Sequence, residues 1–223
     1  MALPVAPMAL AAADDDNGGQ FTTHHVVDTH VRGQALSMVY TNDPVSVESS
    51  IQSMEQFLAK EKYRVVSFDL KYTIGRAGHD QKVAVAQLCV RHDVLVYHYH
   101  LATRPCEHFS RFINSSDYTV DTTNDLKALK VSDLKCPNPV NIQHHYKVWG
   151  SDKNKLNSLV DLASAIIDPY YMKMKNESNK DKNAWHSVWH ERLDEQHVKC
   201  AAMDTYTSYE MYRRIIDIRK CLL

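Results

Sequence analysis

Asp69 and Lys71 stand two residues apart in the run Val65-Val66-Ser67-Phe68-Asp69-Leu70-Lys71. On a strand their side chains leave the same face. Cys200 and Asp204 stand four apart in a stretch with helical periodicity, which makes them neighbours on one helix face. Asp125 follows the brief strand predicted at Tyr118–Val120 and sits at the mouth of a further helix. Carboxylates at strand ends and helix starts of an α/β sheet are placed to converge on Mg²⁺. A pair of such ions clamps the attacking and leaving oxygens of phosphoryl transfer. Spacing alone leaves the plainer alternative open, because Asp residues also cap helices and sit solvated on helix surfaces.

The elements that must position these residues follow from hydrophobic periodicity. Thr23–Val31 and Leu36–Thr41 are β-branched or aromatic-rich and flank Arg32 and Gly33, which predicts a hairpin. Asn42, Asp43 and Pro44 stop the second strand. Val47, Ile51, Met54, Phe57 and Leu58 then recur at helical spacing. Arg64–Leu70 is the next strand, and Lys82–Val90 pairs with Asp93–His100 across the turn at Arg91 and His92. Pro105 starts a short helix through Phe109 and Phe112. Asn141–Trp149, Lys155–Ile167 and Gln196–Ile218 are predicted helices, and the polar, Lys-rich Met172–Asn183 is predicted as a loop. Helices following strands, with one evident antiparallel pair, indicate an α/β domain with a mixed sheet.

These blocks resemble a known family in both order and flanks. Val65–Lys71 followed by Val83-Ala84-Val85-Ala86-Gln87-Leu88-Cys89-Val90 is similar to the first two sheet strands of 3′–5′ exonuclease domains. Asp121-Thr122-Thr123-Asn124-Asp125-Leu126-Lys127-Ala128-Leu129 resembles their second motif. Asn157–Ala163 resembles the helix before the third motif. Leu193-Asp194-Glu195-Gln196, then Cys200-Ala201-Ala202-Met203-Asp204-Thr205-Tyr206-Thr207-Ser208, resembles the third motif itself. The likeness runs from Thr23 to Ile218 and points to plant Werner-syndrome-type exonucleases within the ribonuclease D-like DEDD group. It implies a ribonuclease H-like α/β fold, with a mixed five-stranded sheet flanked by helices and an N-terminal β-hairpin.

The same resemblance implies a two-metal 3′–5′ exonuclease site with Mg²⁺ or Mn²⁺ as cofactor and a DNA or RNA end as substrate. Asp69, Asp125 and Asp204 are the implied metal ligands and catalytic carboxylates. The family's first motif is Asp-x-Glu, however, and here Lys71 stands at the Glu position. Four residues before the last Asp the family has a Tyr that orients the attacking water, and here Cys200 stands instead. Lys71 removes a ligand and brings an ammonium to a cation site. Unit charges about 4 Å apart repel by roughly 4 kcal/mol at an effective dielectric near 20. The expectation is an impaired exonuclease fold that acts by binding nucleic acid or a protein partner, with Lys71 paired to Asp69, Asp125 or Asp204. The alternative is a working metal-dependent exonuclease that tolerates Lys71.

Composition bounds the rest. The chain has 223 residues, with Lys+Arg 26 against Asp+Glu 27 and a formal charge of -1. That length fits one domain, and that charge excludes a strongly basic nucleic-acid footprint over the whole surface. No apolar run approaches the roughly 20 residues of a membrane-spanning helix. Residues 1–20 are predicted as a disordered tail before a domain at 21–223. Met1–Ala13 lacks the positive start of a secretory signal, and Pro4 and Pro7 interrupt it. Five Cys without CxxC spacing point to reduced thiols, hence an intracellular protein of nucleus or cytoplasm. His186 and His190, and His98 and His100 on one strand face, lack a third ligand at zinc-like spacing. Trp185 and Trp189 are read as core packing. Lys173, Lys175, Lys180 and Lys182 form a mild basic loop diluted by Glu177 and Asp181.

Overall fold

The computed structural model describes residues 19–29, 33–73, 82–122, 129, 134–142, 148–149, 155–156, 158–172 and 188–221. The strands are β1 (Thr22–Asp28), β2 (Ala35–Thr41), β3 (Val65–Tyr72), β4 (Val83–Val90), β5 (Asp93–Tyr97), β6 (Thr119–Thr122) and β7 (Pro139–Val140). A separate short pair is β8 (Val148–Trp149) with β9 (Lys155–Leu156). The helices are α1 (Pro44–Leu58), α2 (Glu107–Asn114), α3 (Leu159–Ile166) and α4 (Glu195–Cys221).

All eight residues of β4 are buried, as a strand covered on both faces requires. β4 lies between β3 and β5 in a sheet of order β1-β2-β5-β4-β3-β6-β7. The five strands β5-β4-β3-β6-β7 have antiparallel pairs around β4 and parallel pairs from β3 outward. That is the ribonuclease H-like arrangement the sequence motifs imply. The N-terminal hairpin does not stand apart from it. β2 pairs parallel with β5, so the sheet has seven strands rather than five.

Alternation along β3 and β4 sorts their side chains between two cores. Val66, Phe68 and Leu70, with Ala86, Leu88 and Val90, face a cluster formed with α1 and α2. Val65, Val85 and Cys89 face Val198, Ala201, Ala202, Met203, Tyr206 and Tyr209 of α4. Asp69, Lys71 and Gln87 share the parity of that second set, so they point toward α4. The later part of α4 packs on α3 through Leu162, Ala163, Met211 and Ile215.

Local chemistry sets the element ends. Asp43 caps α1, its Oδ1 accepting from the Val45 amide at 3.1 Å and its Oδ2 from the Ser46 amide at 3.0 Å. Arg91 takes φ 58° in the tight β4–β5 turn and lays its guanidinium 4.4 Å from the Phe57 ring centroid. Two predicted helices are corrected. Val148–Trp149 and Lys155–Leu156 are strands paired with each other, so neither the end of the predicted helix Asn141–Trp149 nor the start of Lys155–Ile167 is helical, and residues 143–147 lie outside the described residues. The second helix begins at Leu159 because Ser158 caps it, its Oγ accepting from the Asp161 amide at 3.1 Å. Residues 1–18, most of the predicted loop 172–183, Trp185 and His186 lie outside the described residues.

The histidine pair His98 and His100 does not share a strand face, since β5 ends at Tyr97 and Tyr99–Leu101 form a 3-10 turn. His98 is instead fully buried, and its Nδ1 lies 2.8 Å from the Tyr40 hydroxyl. Burial pushes its pKa down to about 3, with His100 and His190 adding to the effect. The unfolded chain binds a proton at about pH 6.5 that the folded chain refuses, so stability falls as pH drops below that point. The expected loss on going from pH 7 to pH 5 is about 2 kcal/mol. A His98→Asn variant keeps an acceptor for Tyr40 and should escape most of that loss. Denaturant midpoints of both proteins at the two pH values check this, and equal losses would contradict it.

Candidate functional site

β3 delivers Asp69 and Lys71 to its α4-facing side, and a register shift between Lys71 and Tyr72 marks a bulge at the end of its pairing with β4. Bulges of this kind re-aim side chains next to sites. Across the gap, α4 presents Asp204, with Cys200 one turn earlier. The Lys71 ammonium bridges the two elements. Its Nζ donates to Asp69 Oδ2 at 2.7 Å and to Asp204 Oδ2 at 2.8 Å. The side chains of Lys71, Asp69 and Asp204 are 19%, 22% and 41% exposed, so the cluster is neither a surface pair nor a dry one. Burial works against the charge on Lys71, yet Asp204 and Asp69 outweigh it and hold the ammonium well above its ordinary range.

Two further side chains complete the cluster. The Trp189 ring centroid lies 5.7 Å from Lys71 Nζ, within cation–π reach, and Trp189 is buried. The segment carrying it is pinned to the sheet, because the Leu193 amide donates to the Tyr40 hydroxyl at 2.8 Å. Phe21 adds a second tether, stacking 4.9 Å from the Tyr40 ring and 4.9 Å beneath the Arg192 guanidinium. The other addition is Gln87 of β4, opposite Asp69 in the register and fully buried. One end of its amide faces Asp69 Oδ2 at 2.9 Å, Thr205 Oγ1 at 3.1 Å and the Ala201 carbonyl at 3.2 Å. A carboxylate and a carbonyl only accept, so that end is the NH₂ group.

The structure therefore brings together Asp69, Lys71 and Asp204, with Cys200 as a half-buried thiol on the same helix. Asp125 lies outside the described residues. Sequence reasoning passed over Gln87 and the Tyr40–Leu193 tether. Gln87 carried a readable signal as the one polar residue in Val83–Val90, whereas the tether joins residues far apart in the chain. The fit to a divalent ion is poor: Asp69 Oδ2 and Asp204 Oδ2 already hold an ammonium at hydrogen-bond distance. Among the described residues no group of three or more His, Cys, Asp or Glu side chains is placed to hold a metal. A cleft of about 360 Å³ lies elsewhere, lined by Tyr63, Val65, Arg91, His92, Tyr209 and Arg213 among others. Val65 is about 13 Å along β3 from Asp69, so that cleft does not share this chemistry.

Replacing the ammonium by a carboxylate should expose how much the pairing contributes. Lys71→Glu is expected to lose about 2 kcal/mol, between the exposed-pair and buried-pair regimes. That corresponds to about 6 °C in Tm for a chain of this size. Mn²⁺ should restore part of the loss by neutralising the three adjoining carboxylates. Thermal melts with and without the ion check both parts, and a variant as stable as the parent and indifferent to Mn²⁺ would contradict them.

No protein-family model and no curated protein matches the chain. Solved structures do. The Aedes aegypti Nibbler EXO domain superposes with a TM-score of 0.54 at 14% identity, covering 79% of this chain and 85% of that one. The Trypanosoma brucei RNase D–GMP complex gives 0.58 at 12% identity, over 79% of this chain and 56% of that one. The catalytic core of RRP6 from the same organism gives 0.55 at 11% identity, over 90% and 61%. The chain thus spans less than two thirds of the last two. Likeness at these identities is likeness of fold, and the chain has the ribonuclease H-like fold of these exonuclease domains.

Proposed function

We propose that the chain is an exonuclease-fold protein with impaired catalysis that acts inside the cell by binding, with nucleic acid as the first partner class and a protein as the second. The observation that carries this reading is the Lys71 ammonium on Asp69 Oδ2 and Asp204 Oδ2. A divalent ion drawn to the same oxygens would meet a fixed positive charge. At about 4 Å and an effective dielectric near 20 that repulsion is roughly 8 kcal/mol. Without the clamp of two ions the main stabilisation of a pentacoordinate phosphoryl transition state is gone. Cys200 adds to the loss, because a thiol on Cβ does not reach as far toward a water as a phenol. The Werner-type likeness of the motifs supports descent from a nuclease, and the GMP held by the RNase D neighbour supports a nucleotide-containing ligand.

A second reading, an active Mg²⁺- or Mn²⁺-dependent 3′–5′ exonuclease, is favoured by one observation: Asp69 and Asp204 still face each other across β3 and α4. A 3′-shortening assay on labelled single-stranded RNA and DNA separates the two. With either ion the unaltered protein should shorten the strand no faster than an Asp69→Ala control. The Lys71→Glu/Cys200→Tyr double variant should gain metal-dependent shortening. Robust shortening by the unaltered protein that Asp69→Ala abolishes would establish the second reading instead. Filter binding of the same strands at rising salt tests the binding part, with affinity expected to fall as salt rises.

A further inference from the structure

Gln87 is a fully buried polar group touching the cluster, and its environment leaves it little freedom. It sits on β4, buried on both faces, with its NH₂ toward Asp69 of β3 and toward Ala201 and Thr205 of α4. The contact to Asp69 is made on Oδ2, the same oxygen that accepts from Lys71 Nζ. Two donors converging on one oxygen fix the carboxylate's torsion, and that oxygen is the one turned toward the cation. The Thr205 hydroxyl accepts from that NH₂ at 3.1 Å and itself donates to the Ala201 carbonyl at 3.0 Å. The amide therefore also registers the turn of α4 that carries Asp204.

We infer that Gln87 is a positioning residue for the cation slot: it aims Asp69 Oδ2 and sets the turn of α4 bearing Asp204, whichever cation lies between them. The inference rests on Lys71 being the resident cation in the unaltered protein. Its consequence reaches further, since the aim of Asp69 persists when Lys71 is replaced. A hydrogen bond to a ligating carboxylate supports metal affinity by about 10- to 100-fold. Gln87 should therefore matter as much to a divalent ion introduced by substitution as it does to the ammonium.

Three measurements test it, and Gln87→Met is the probe because it keeps the length and volume of the side chain without the donor. In a Lys71→Glu background, Mn²⁺ affinity read by the EPR signal of the free ion should fall about 10- to 100-fold on adding Gln87→Met. Unchanged affinity would overturn the inference. In the unaltered background, Asp69→Ala and Gln87→Met should shift the denaturant midpoint non-additively, since either change removes the same bond. Additive shifts would overturn it even if the first arm binds no ion, an outcome that would count against Lys71 as the sole barrier to metal rather than against Gln87. Should Gln87→Met fail to fold, side-chain amide NMR of the intact protein decides. Slowly exchanging Gln87 NH₂ protons that shift on Asp69→Asn support the role, and rapidly exchanging ones exclude it.

Discussion

Two carboxylates on separate elements, Asp69 on β3 and Asp204 on α4, face each other across a partly buried gap and repel unless a cation or a proton lies between them. The chain supplies one covalently. Lys71 leaves β3 on the same side as Asp69 and spans to Asp204 with hydrogen bonds of 2.7 and 2.8 Å. An ammonium has three donors and carries one charge, so it can satisfy two oxygens and compensate part of their repulsion. It cannot clamp a phosphoryl group as a pair of divalent ions does. The same interaction therefore ties α4 to the central sheet beside their shared apolar core, and under the proposed function it stands where a metal ion would.

The remainder of the fold serves that geometry. β4 contributes Gln87 from beneath, the bulge after Lys71 releases the strand where its side chain must reach outward, and Trp189 lies beside the ammonium from above. Trp189 is held by a tether whose far end is the N-terminal hairpin. The Leu193 amide, the Tyr40 hydroxyl and His98 Nδ1 form a continuous buried chain of hydrogen bonds from the 188–194 segment through β2 to the end of β5. The hairpin is thus more than an added edge, because it fixes the segment that closes the site.

Much of this was legible in the sequence, and the parts that were not have identifiable causes. The β3 and β4 strands, α1 and α4 announce themselves by runs and periodicity, and the motif order places Asp69, Lys71, Cys200 and Asp204 together. The pairing of Lys71 follows from charge once the strand parity is known. Which carboxylates it chooses depends on where α4 crosses β3, and that is a tertiary fact. The predicted helix Lys155–Ile167 is present only from Leu159, where Ser158 caps it, and the predicted end of Asn141–Trp149 is strand at Val148–Trp149, because two-residue strands leave almost no periodic trace. The Tyr40–Leu193 bond spans most of the chain and has no local signature. Gln87 was visible as an isolated amide in an apolar strand, yet only the register opposite Asp69 reveals its purpose.

The central claim is that an amine occupies the cation position, and calorimetric titration of Mg²⁺ and Mn²⁺ into the unaltered protein addresses it without any substitution. The account predicts no saturable heat in the micromolar range for either ion. Tight binding of two ions per chain, displaced neither by salt nor by added monovalent cation, would contradict it.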